Sequence, residues 1–575
     1  ELIDPALFYR LPRATIRRLL AFKDKRFYQQ GIEESHQLLS KQSRRFRIYS
    51  IDDKWYQETL KSRLGQLSRS FLLEHDTANY PFAPQQAEPE TPPDFSRITT
   101  QQEELDRQQL RVILSPANRI YVNAGPGSGK THCLVERAKY FVEQGEVPET
   151  IQIVTFTNKA AKVIRQRLAK KDDDIDYSGI RVSTLSRLAK EATEASQKRK
   201  IVIDETKTLK ILRKCSRPIR AKYPRKLKVE DIQNVVAYYY HNGDMRKAIE
   251  ARTTLDSDRT VEQFSTILEK YEVQKKKSYK TKRLVDFEDL LRGAAWASKQ
   301  ERPNDAIDPI KHLLIDETQD LSPLEWKLIY RIVKRQDCGL MLVGDKAQSI
   351  FDFKGGHASP SILRKFKGLK RYSIDVNRRS SAPIINLANT VLGEFSASLP
   401  QQALVHGKHS LLPELIEASK FGNAVDTVVR DIKKLRSKKT RMKDIAIVVT
   451  TNQEAGEIYK ELQAKQLGAF LHEKDKEGAS VTEPTDKQVT ITNVHNVKGR
   501  EFQHVYFFDP RLRNVKQRDT KTTELALVYV AMTRAVKHLT IIKSTCGKIY
   551  YTDARQSDSY ILDTLEDIPM KLRCV

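Results

Sequence analysis

The sequence predicts an α/β protein whose parallel sheets are covered by helices on both faces. Short apolar, β-branched runs alternate with helical stretches from about residue 98 onward, which is typical of strands buried on both faces of a parallel sheet. One of these runs leads directly into a glycine-rich loop and a helix. The predicted strands are Ile120–Val122, Ile151–Phe156, His312–Ile315, Leu340–Val343, Ile445–Thr450, Val489–Val494, Val505–Phe508 and Leu539–Ile542.

Composition and charge limit the class of protein. The chain has 575 residues, with 39 % hydrophobic and 30 % charged residues, a globular composition. Its net charge of +27 suits a polyanion, either nucleic acid or an anionic membrane face. Apolar runs such as Ile445–Val449 are far shorter than the roughly 20 residues that span a bilayer. We therefore expect no membrane-spanning segment, while the charge alone leaves nucleic acid, an anionic membrane face and an aid to solubility open.

The five cysteines lie far apart without a CxxC motif, which argues against a zinc ribbon, an iron–sulfur cluster or a disulfide framework. No secretory leader pattern opens the sequence, and we expect a reducing, cytoplasmic location.

The N-terminal part is predicted to be separate from the α/β region. Residues 1–80 are basic and have helical periodicity, which predicts a basic helical accessory module. Residues 81–97 form a linker, since Pro81–Pro93 contains five prolines and cannot continue a helix or a central strand. The module could dock a protein partner or hold nucleic acid, and the sequence leaves both open.

A phosphate-binding loop is predicted at Ala124–Thr131, between a strand and a helix. The segment fits A/G-x-x-x-x-G-K-[ST], in which backbone N–H groups and the helix N-terminus face the phosphates. Lys130 is expected to reach the β- and γ-phosphates, and the Thr131 hydroxyl to hold Mg²⁺. The glycines of the loop are Gly125, Gly127 and Gly129.

Two carboxylates complete this chemistry at the end of another predicted strand. Asp316 and Glu317 follow the apolar run His312–Ile315. Asp316 is expected to position Mg²⁺, and Glu317 to orient or deprotonate the attacking water. Together the two motifs predict an NTPase.

Six further motifs narrow the class of protein. They are Val154–Ala161, Asp316–Asp320, Val343–Ile350, Val376–Ser380, Asn493–Phe502 and Tyr529–Ala535. In their order and spacing these motifs resemble superfamily 1A helicases of the UvrD/Rep/PcrA type, from about Thr100 to Ser544. Val285–Leu291 also resembles the family's segment ahead of the acidic motif.

The resemblance implies two RecA-like P-loop domains. Domain 1A would comprise residues 98–187 and 284–371, with a helical 1B insertion at 188–283. Domain 2A would comprise residues 372–575. The family's large 2B subdomain would be absent, or reduced to a loop near 472–488.

The resemblance also implies roles for residues of the nucleotide site. Gln109 would read the adenine edge, Gln348 would sense the γ-phosphate, and Glu501 would contact the ribose. Arg379 and Arg534 match the two arginine fingers, which neutralise charge on the transferred phosphoryl group.

Contacts with a DNA strand are implied in the same way. Phe353 stands where the family has a base-stacking tryptophan, and stacking tolerates any base. Arg378 stands where a tyrosine usually stacks on adenine. The implied DNA-binding residues are Phe156, Thr157, Thr184, Phe351, Phe353 and His495.

The resemblance implies an ATP- and Mg²⁺-dependent translocase or helicase on single-stranded or tailed duplex DNA, with 3′→5′ polarity. ATP would be hydrolysed between the two lobes. The alternative is a DNA- or nucleotide-sensing ATPase subunit of a larger defence or repair complex, with little unwinding of its own. Small UvrD-like proteins without a full 2B resemble the helicase-like partner of the bacterial Gabija antiphage system.

Overall fold

The computed structural model describes residues 105–169, 175–198, 200–223, 227–277, 283–350, 360–393, 402–403, 411–472, 483–508, 518–544 and 570–575. The predicted module at 1–80, the linker at 81–97, Phe351 and Phe353 lie outside these residues, as does most of the predicted loop near 472–488. The described residues form two compact units that divide after Ile374. We call residues 105–374 the first unit and residues 375–575 the second unit.

The first unit contains a six-stranded sheet in which every pair of neighbours is parallel, in the order β3-β2-β6-β7-β1-β8. A separate parallel ribbon joins β4 to β5. The strands are β1 (Arg119–Ala124), β2 (Ile151–Thr155), β3 (Arg181–Thr184), β4 (Ile201–Ile203), β5 (Arg283–Val285), β6 (His312–Ile315), β7 (Gly339–Gly344) and β8 (Lys370–Ile374). The central strands are buried along their length, which confirms the predicted α/β class.

Several helices of the first unit begin at residues whose side chains cap them. Asp106, Thr157, Thr184 and Ser322 each accept a backbone N–H of the first turn, and such caps stabilise a helix by ~1 kcal/mol. The helices are α1 (Arg107–Ile113), α2 (Lys130–Glu143), α3 (Asn158–Leu168), α4 (Leu185–Gln197), α5 (Glu205–Cys215), α6 (Arg217–Lys222), α7 (Val229–Asn242), α8 (Met245–Arg252), α9 (Ser257–Lys277), α10 (Phe287–Ala297), α11 (Pro323–Gln336) and α12 (Pro360–Leu363).

Helices α5–α9 pack around a core of their own, which includes Ile232, Phe264 and Ile267. They fall within the region predicted as the 1B insertion, and that assignment stays a prediction. Among the described helices, none combines the length and the apolar character that crossing a membrane requires.

The last turn of α9 is tied to the start of α10 by a buried lysine. The Lys275 ammonium lies 2.6 Å from Asp286 Oδ2, 2.7 Å from Asp289 Oδ2 and 2.8 Å from Glu272 Oε1. The Lys275 side chain is only 2 % exposed. Tyr271 donates a hydrogen bond to Asp286 at 3.2 Å. We call Lys275 and its three carboxylates the lysine cluster.

The second unit contains a seven-stranded parallel sheet in the order β13-β14-β12-β15-β16-β11-β17, and β10 pairs separately with β9. The strands are β9 (Val376–Asn377), β10 (Gln402–Ala403), β11 (Glu414–Ala418), β12 (Ile445–Val449), β13 (Ala469–Leu471), β14 (Val489–Asn493), β15 (Phe502–Phe508), β16 (Ala535–Ser544) and β17 (Lys571–Cys574). The helices are α13 (Ala382–Gly393), α14 (Phe421–Ser437), α15 (Asn452–Ala464), α16 (Val494–Val497) and α17 (Arg518–Met532). Residues 472–488 join β13 to its neighbour β14, and the reduction of 2B to this loop stays a prediction.

Candidate nucleotide and nucleic-acid sites

The loop between β1 and α2 has the backbone shape that its glycines allow. Gly127 and Gly129 hold φ angles of 68° and 87°, a left-handed region that side chains disfavour. The Ser128 hydroxyl donates to the Gly125 carbonyl at 2.7 Å. The Lys130 ammonium donates to the carbonyls of Ala124 and Gly125, each at 3.1 Å. Lys130 therefore lies along the loop, at the N-terminus of α2.

Gln109 is packed against this loop. Its side-chain amide donates to the Ser128 carbonyl at 3.0 Å, and it forms a capping box with Asp106. A Cβ at position 129 would lie 2.6 Å from Gln109 Nε2. Glycine at 129 is therefore needed both for the backbone angle and for the approach of Gln109. The predicted adenine-reading residue lies at the nucleotide loop, and its role stays a prediction.

The two predicted metal-site residues meet, although they are 185 positions apart in sequence. The Thr131 hydroxyl donates to Asp316 Oδ2 at 2.7 Å, and the Glu317 N–H donates to Asp316 Oδ1 at 2.9 Å. Asp316 is 4 % exposed. Burial, and then the neighbouring Glu317 carboxylate, raise the pKa of Asp316 to about 6. The bonds to Thr131 and Glu317 and the charge of Lys130 act in the opposite direction.

Glu317 is oriented by a chain of buried amides. It holds a left-handed backbone with φ 54°, a conformation that often marks functional sites. The Gln319 side-chain amide donates to the Glu317 carboxylate at 2.5 Å. The side-chain oxygen of Gln319 accepts the Asp345 N–H at 3.0 Å. Gln348 donates to the Asp345 carboxylate at 2.7 Å. Burial raises the pKa of Asp345. The predicted catalytic carboxylate and the predicted γ-phosphate sensor thus belong to one hydrogen-bonded network.

The donor set at this position fits Mg²⁺. A threonine hydroxyl and a carboxylate are hard oxygen donors, and Mg²⁺ in phosphate sites is held by one or two such groups together with the phosphates. Thr131 and Asp316 would hold the ion. A cation beside Asp316 would favour its ionised form against the burial that raises its pKa.

Three predicted DNA-binding residues lie at the same edge of the first sheet. Phe156 and Thr157 follow β2 directly, and Thr184 ends β3. In a parallel sheet the carboxyl ends of the strands share one edge, where ligands of open α/β sheets bind. Phe156 is half-buried, and Thr157 is exposed. The Thr157 and Thr184 hydroxyls also cap α3 and α4, at 3.1 and 3.3 Å, and their DNA contacts stay predictions.

Arg379 and Glu501, both in the second unit, are brought together. Arg379 Nε donates to Glu501 Oε2 at 2.7 Å. The buried Asn377 side chain fixes the turn, because its oxygen accepts the N–H groups of Arg379 at 2.9 Å and Ser380 at 2.8 Å. The Glu501 side chain is 62 % exposed. The residue expected at the γ-phosphate and the one expected at the ribose therefore pair with each other.

Arg534 and His495 have different surroundings. Arg534 is 2 % exposed and donates to the Val530 carbonyl at 3.0 Å, so its guanidinium is held against the end of the preceding helix α17. His495 lies in the short helix α16 after β14. Burial, and then the charge of Lys498, lower the pKa of His495, so its imidazole is neutral at pH 7.

Gln319 and Asp345 were not predicted from the sequence as site residues. Both lie inside the motif segments Asp316–Asp320 and Val343–Ile350, which was the available signal. Their function is to connect those two segments, and such a connection is visible only once β6 and β7 are paired.

The two parallel sheets and the nucleotide site define the class of protein to which this chain belongs. Residues 105–369 match the UvrD/REP helicase N-terminal domain, and residues 372–478 and 488–542 match UvrD-like helicase C-terminal domains. The chain belongs to the UvrD-like superfamily 1A helicases, and its two parallel sheets are the RecA-like lobes of that family.

Curated relatives agree with this assignment. The chain is 25 % identical over 418 residues to the ATP-dependent DNA helicase Rep of Buchnera aphidicola, a match that covers 70 % of this chain and 62 % of that protein. It is 26 % identical to the ATP-dependent DNA helicase srs2 of Schizosaccharomyces pombe, over 60 % of this chain and 42 % of that protein. The match to the ATP-dependent DNA helicase PcrA of Staphylococcus aureus has 23 % identity and covers 60 % of this chain and 48 % of that protein. The chain therefore spans between about two fifths and three fifths of these relatives.

Proposed function

We propose that this chain is an ATP-dependent translocase or helicase that moves on single-stranded DNA. The observation that carries the proposal is the 2.7 Å contact between Thr131 and Asp316, with Glu317 next in the chain. It combines a phosphate loop, a metal-binding pair and a candidate base for water. The relatives named as ATP-dependent DNA helicases support ATP as the nucleotide and DNA as the track.

The chain's own residues divide the work of hydrolysis. The loop N–H groups and Lys130 bind the phosphates, and Gln109 positions the loop. Glu317, held by Gln319, orients the attacking water and accepts its proton. Arg379 would neutralise charge that develops on the γ-phosphate, a contribution of about 10³–10⁵ in rate for arginine fingers. Mg²⁺ held by Thr131 and Asp316 would supply further charge neutralisation.

The proposal includes 3′→5′ movement, as the family resemblance implies. The strand would cross the edge that carries Phe156, Thr157 and Thr184, and His495 would contact it from the second unit. Phe351 and Phe353 are proposed to stack on bases.

Steady-state ATP hydrolysis, with and without single-stranded DNA, tests the proposal. We expect strong stimulation by DNA in the parent protein and no turnover in Lys130→Ala. Glu317→Gln should bind nucleotide without hydrolysing it, which separates binding from chemistry. Normal turnover in Lys130→Ala would exclude the assigned nucleotide site. Nucleotide binding with hydrolysis that appears only with an added partner would favour the regulatory subunit.

A further inference from the structure

A dense run of positive charge lies between α14 and β12 of the second unit. Residues 431–444 include seven basic and two acidic residues. All of the basic side chains except that of Lys443 are exposed. We call residues 433–443 the basic turn. Its basic residues are Lys433, Lys434, Arg436, Lys438, Lys439, Arg441 and Lys443.

The acidic groups around the basic turn are paired with cations, two of which belong to the turn itself. Asp431 accepts both terminal nitrogens of Arg573. Asp444 accepts Arg441 Nε at 2.8 Å, and Asp486 pairs with Lys443 at 2.8 Å. Within the described ranges, the other five basic side chains form no ion pair. Their positive charge is therefore not neutralised by the protein around them.

Helix stability explains only part of this charge. Cations in the last turn of a helix stabilise it, and the effect fades beyond that turn. Lys434 and Arg436 lie in the last turn of α14. Lys438 and Lys439 lie beyond its end, and Lys439 holds a φ of 63°, which is uncommon for a residue other than glycine. Like charges at this density repel one another, so an external polyanion would stabilise them.

The composition of the segment distinguishes between kinds of nucleic acid. Residues 431–444 contain no phenylalanine, tyrosine or tryptophan, whereas single-strand sites combine charge with aromatic stacking. Duplex DNA offers about one phosphate charge per 1.7 Å of axis and needs no stacking partner. Another exposed lysine lies close to the basic turn. The Met442 N–H donates to the Asp486 carbonyl at 3.1 Å, and the exposed Lys487 follows Asp486 in the chain.

The basic turn is also separate from the predicted strand contact of the same unit. It precedes the amino end of β12, while His495 follows the carboxyl end of β14. These strands are parallel neighbours, so the two features lie at opposite ends of the pair. We propose that the basic turn is a docking surface for the phosphate backbone of duplex nucleic acid.

This inference rests on the proposed function only in taking nucleic acid as the partner. The test variant carries Lys433→Gln, Lys434→Gln, Lys438→Gln and Lys439→Gln. The matched control removes four exposed charges from the first unit, through Lys327→Gln, Lys334→Gln, Arg364→Gln and Lys365→Gln. Binding of a short blunt DNA duplex, of a single strand of equal length and of labelled polyglutamate is measured by fluorescence anisotropy over a salt series.

We expect the variant to bind duplex about tenfold more weakly, and the slope of log K against log salt to become shallower by about three. Single-strand affinity, single-strand-stimulated ATPase and the control variant should match the parent protein. An unchanged duplex affinity, or an equal loss in the control, would overturn the proposal. So would an equal loss on single strand, or a loss confined to polyglutamate, which would indicate an acidic protein partner. A parent ATPase that DNA does not stimulate would count against the proposed function alone, since duplex binding is read separately.

Discussion

The first unit contains two buried polar networks that balance charge in opposite ways. In the nucleotide network, Asp316 and Asp345 accept hydrogen bonds from a hydroxyl, a side-chain amide and backbone N–H groups. In the lysine cluster, three carboxylates surround the Lys275 ammonium. The nucleotide network is therefore suited to a cation from outside, whereas the lysine cluster contains its own.

This difference separates function from stability. A buried carboxylate held by neutral donors keeps a raised pKa, and a metal ion relieves it. A buried carboxylate paired with a lysine instead gains its stabilisation from the chain, and removal of the partner leaves charge uncompensated. We expect changes in the first network to affect turnover and changes in the second to affect unfolding.

Among further variants, the largest effect is expected at Arg379, which lies outside both networks. Arg379→Ala should reduce kcat by about 10³-fold or more, because it removes one of the two arginines expected to neutralise charge on the γ-phosphate. Nucleotide affinity should change little. The measurement is kcat and KM for ATP with saturating single-stranded DNA. Glu501→Gln is the comparison: it should raise KM and spare kcat, and the reverse pattern would contradict both assignments.

Lys275→Met should lower the free energy of unfolding by about 3–5 kcal/mol, since Glu272, Asp286 and Asp289 lose their cation. Denaturant unfolding measures this. Lys276→Met is the matched control, because Lys276 is the exposed neighbour and surface changes usually stay within about 0.5 kcal/mol. Equal effects of the two substitutions would show that the lysine cluster does not stabilise the fold.

Gln319→Leu should reduce kcat by about 10²-fold, the cost of a misplaced catalytic group, with KM nearly unchanged. Glu317 would lose the amide that orients it. Gln152→Leu is the control, because Gln152 is also buried but bonds to Ser183 Oγ at 3.1 Å and not to the site. Loss of turnover in the Gln152 variant, or normal turnover in the Gln319 variant, would contradict the proposed role of the network.

The smallest effect concerns pH. Burial, and then Asp286, raise the pKa of Glu288 to about 7; Asp289 and Lys275 also act on it, and His241 lies 3.9 Å away. The folded state binds this proton more tightly than the unfolded state does, so the contribution is present at low pH and is lost as pH rises through 7. Stability should fall by about 1 kcal/mol from this group between pH 6 and 8.

Glu288→Gln should flatten that part of the stability–pH curve, measured by unfolding at each pH. Asp258→Asn, at a 73 % exposed carboxylate, should leave the curve unchanged. An identical slope of stability against pH in the parent protein and in Glu288→Gln would show that Glu288 is not the source of that slope.

Much of the fold was predictable from apolar runs. The eight predicted strands correspond to β1, β2, β6, β7, β12, β14, β15 and β16, most of which lie in the interior of a sheet. The strands that were missed include β8 and β17, at sheet edges. Only Ile374 of β8 is buried, and β17 is largely exposed, so both lack the buried run that identifies a strand.

The candidate site was only partly predictable from the sequence. Motif chemistry alone assigned Thr131 and Asp316 to one metal site, and the two side chains are in contact in the structure, while their binding of metal stays a prediction. Gln319 and Asp345 were missed, because their role depends on which strands are neighbours. The burial of Arg534 against the end of α17 was also not predictable, since a motif identifies a residue type and not its rotamer.

The most direct test of whether the nucleotide network receives a cation from outside is a calorimetric measurement of nucleotide binding. It compares binding with and without Mg²⁺ in the parent protein and in Asp316→Asn. Asp316→Asn keeps an oxygen that can accept the Thr131 hydroxyl but removes the charge. We predict that Mg²⁺ tightens binding of a non-hydrolysable ATP analogue to the parent protein and not to Asp316→Asn. The same Mg²⁺ dependence in both proteins would contradict the account.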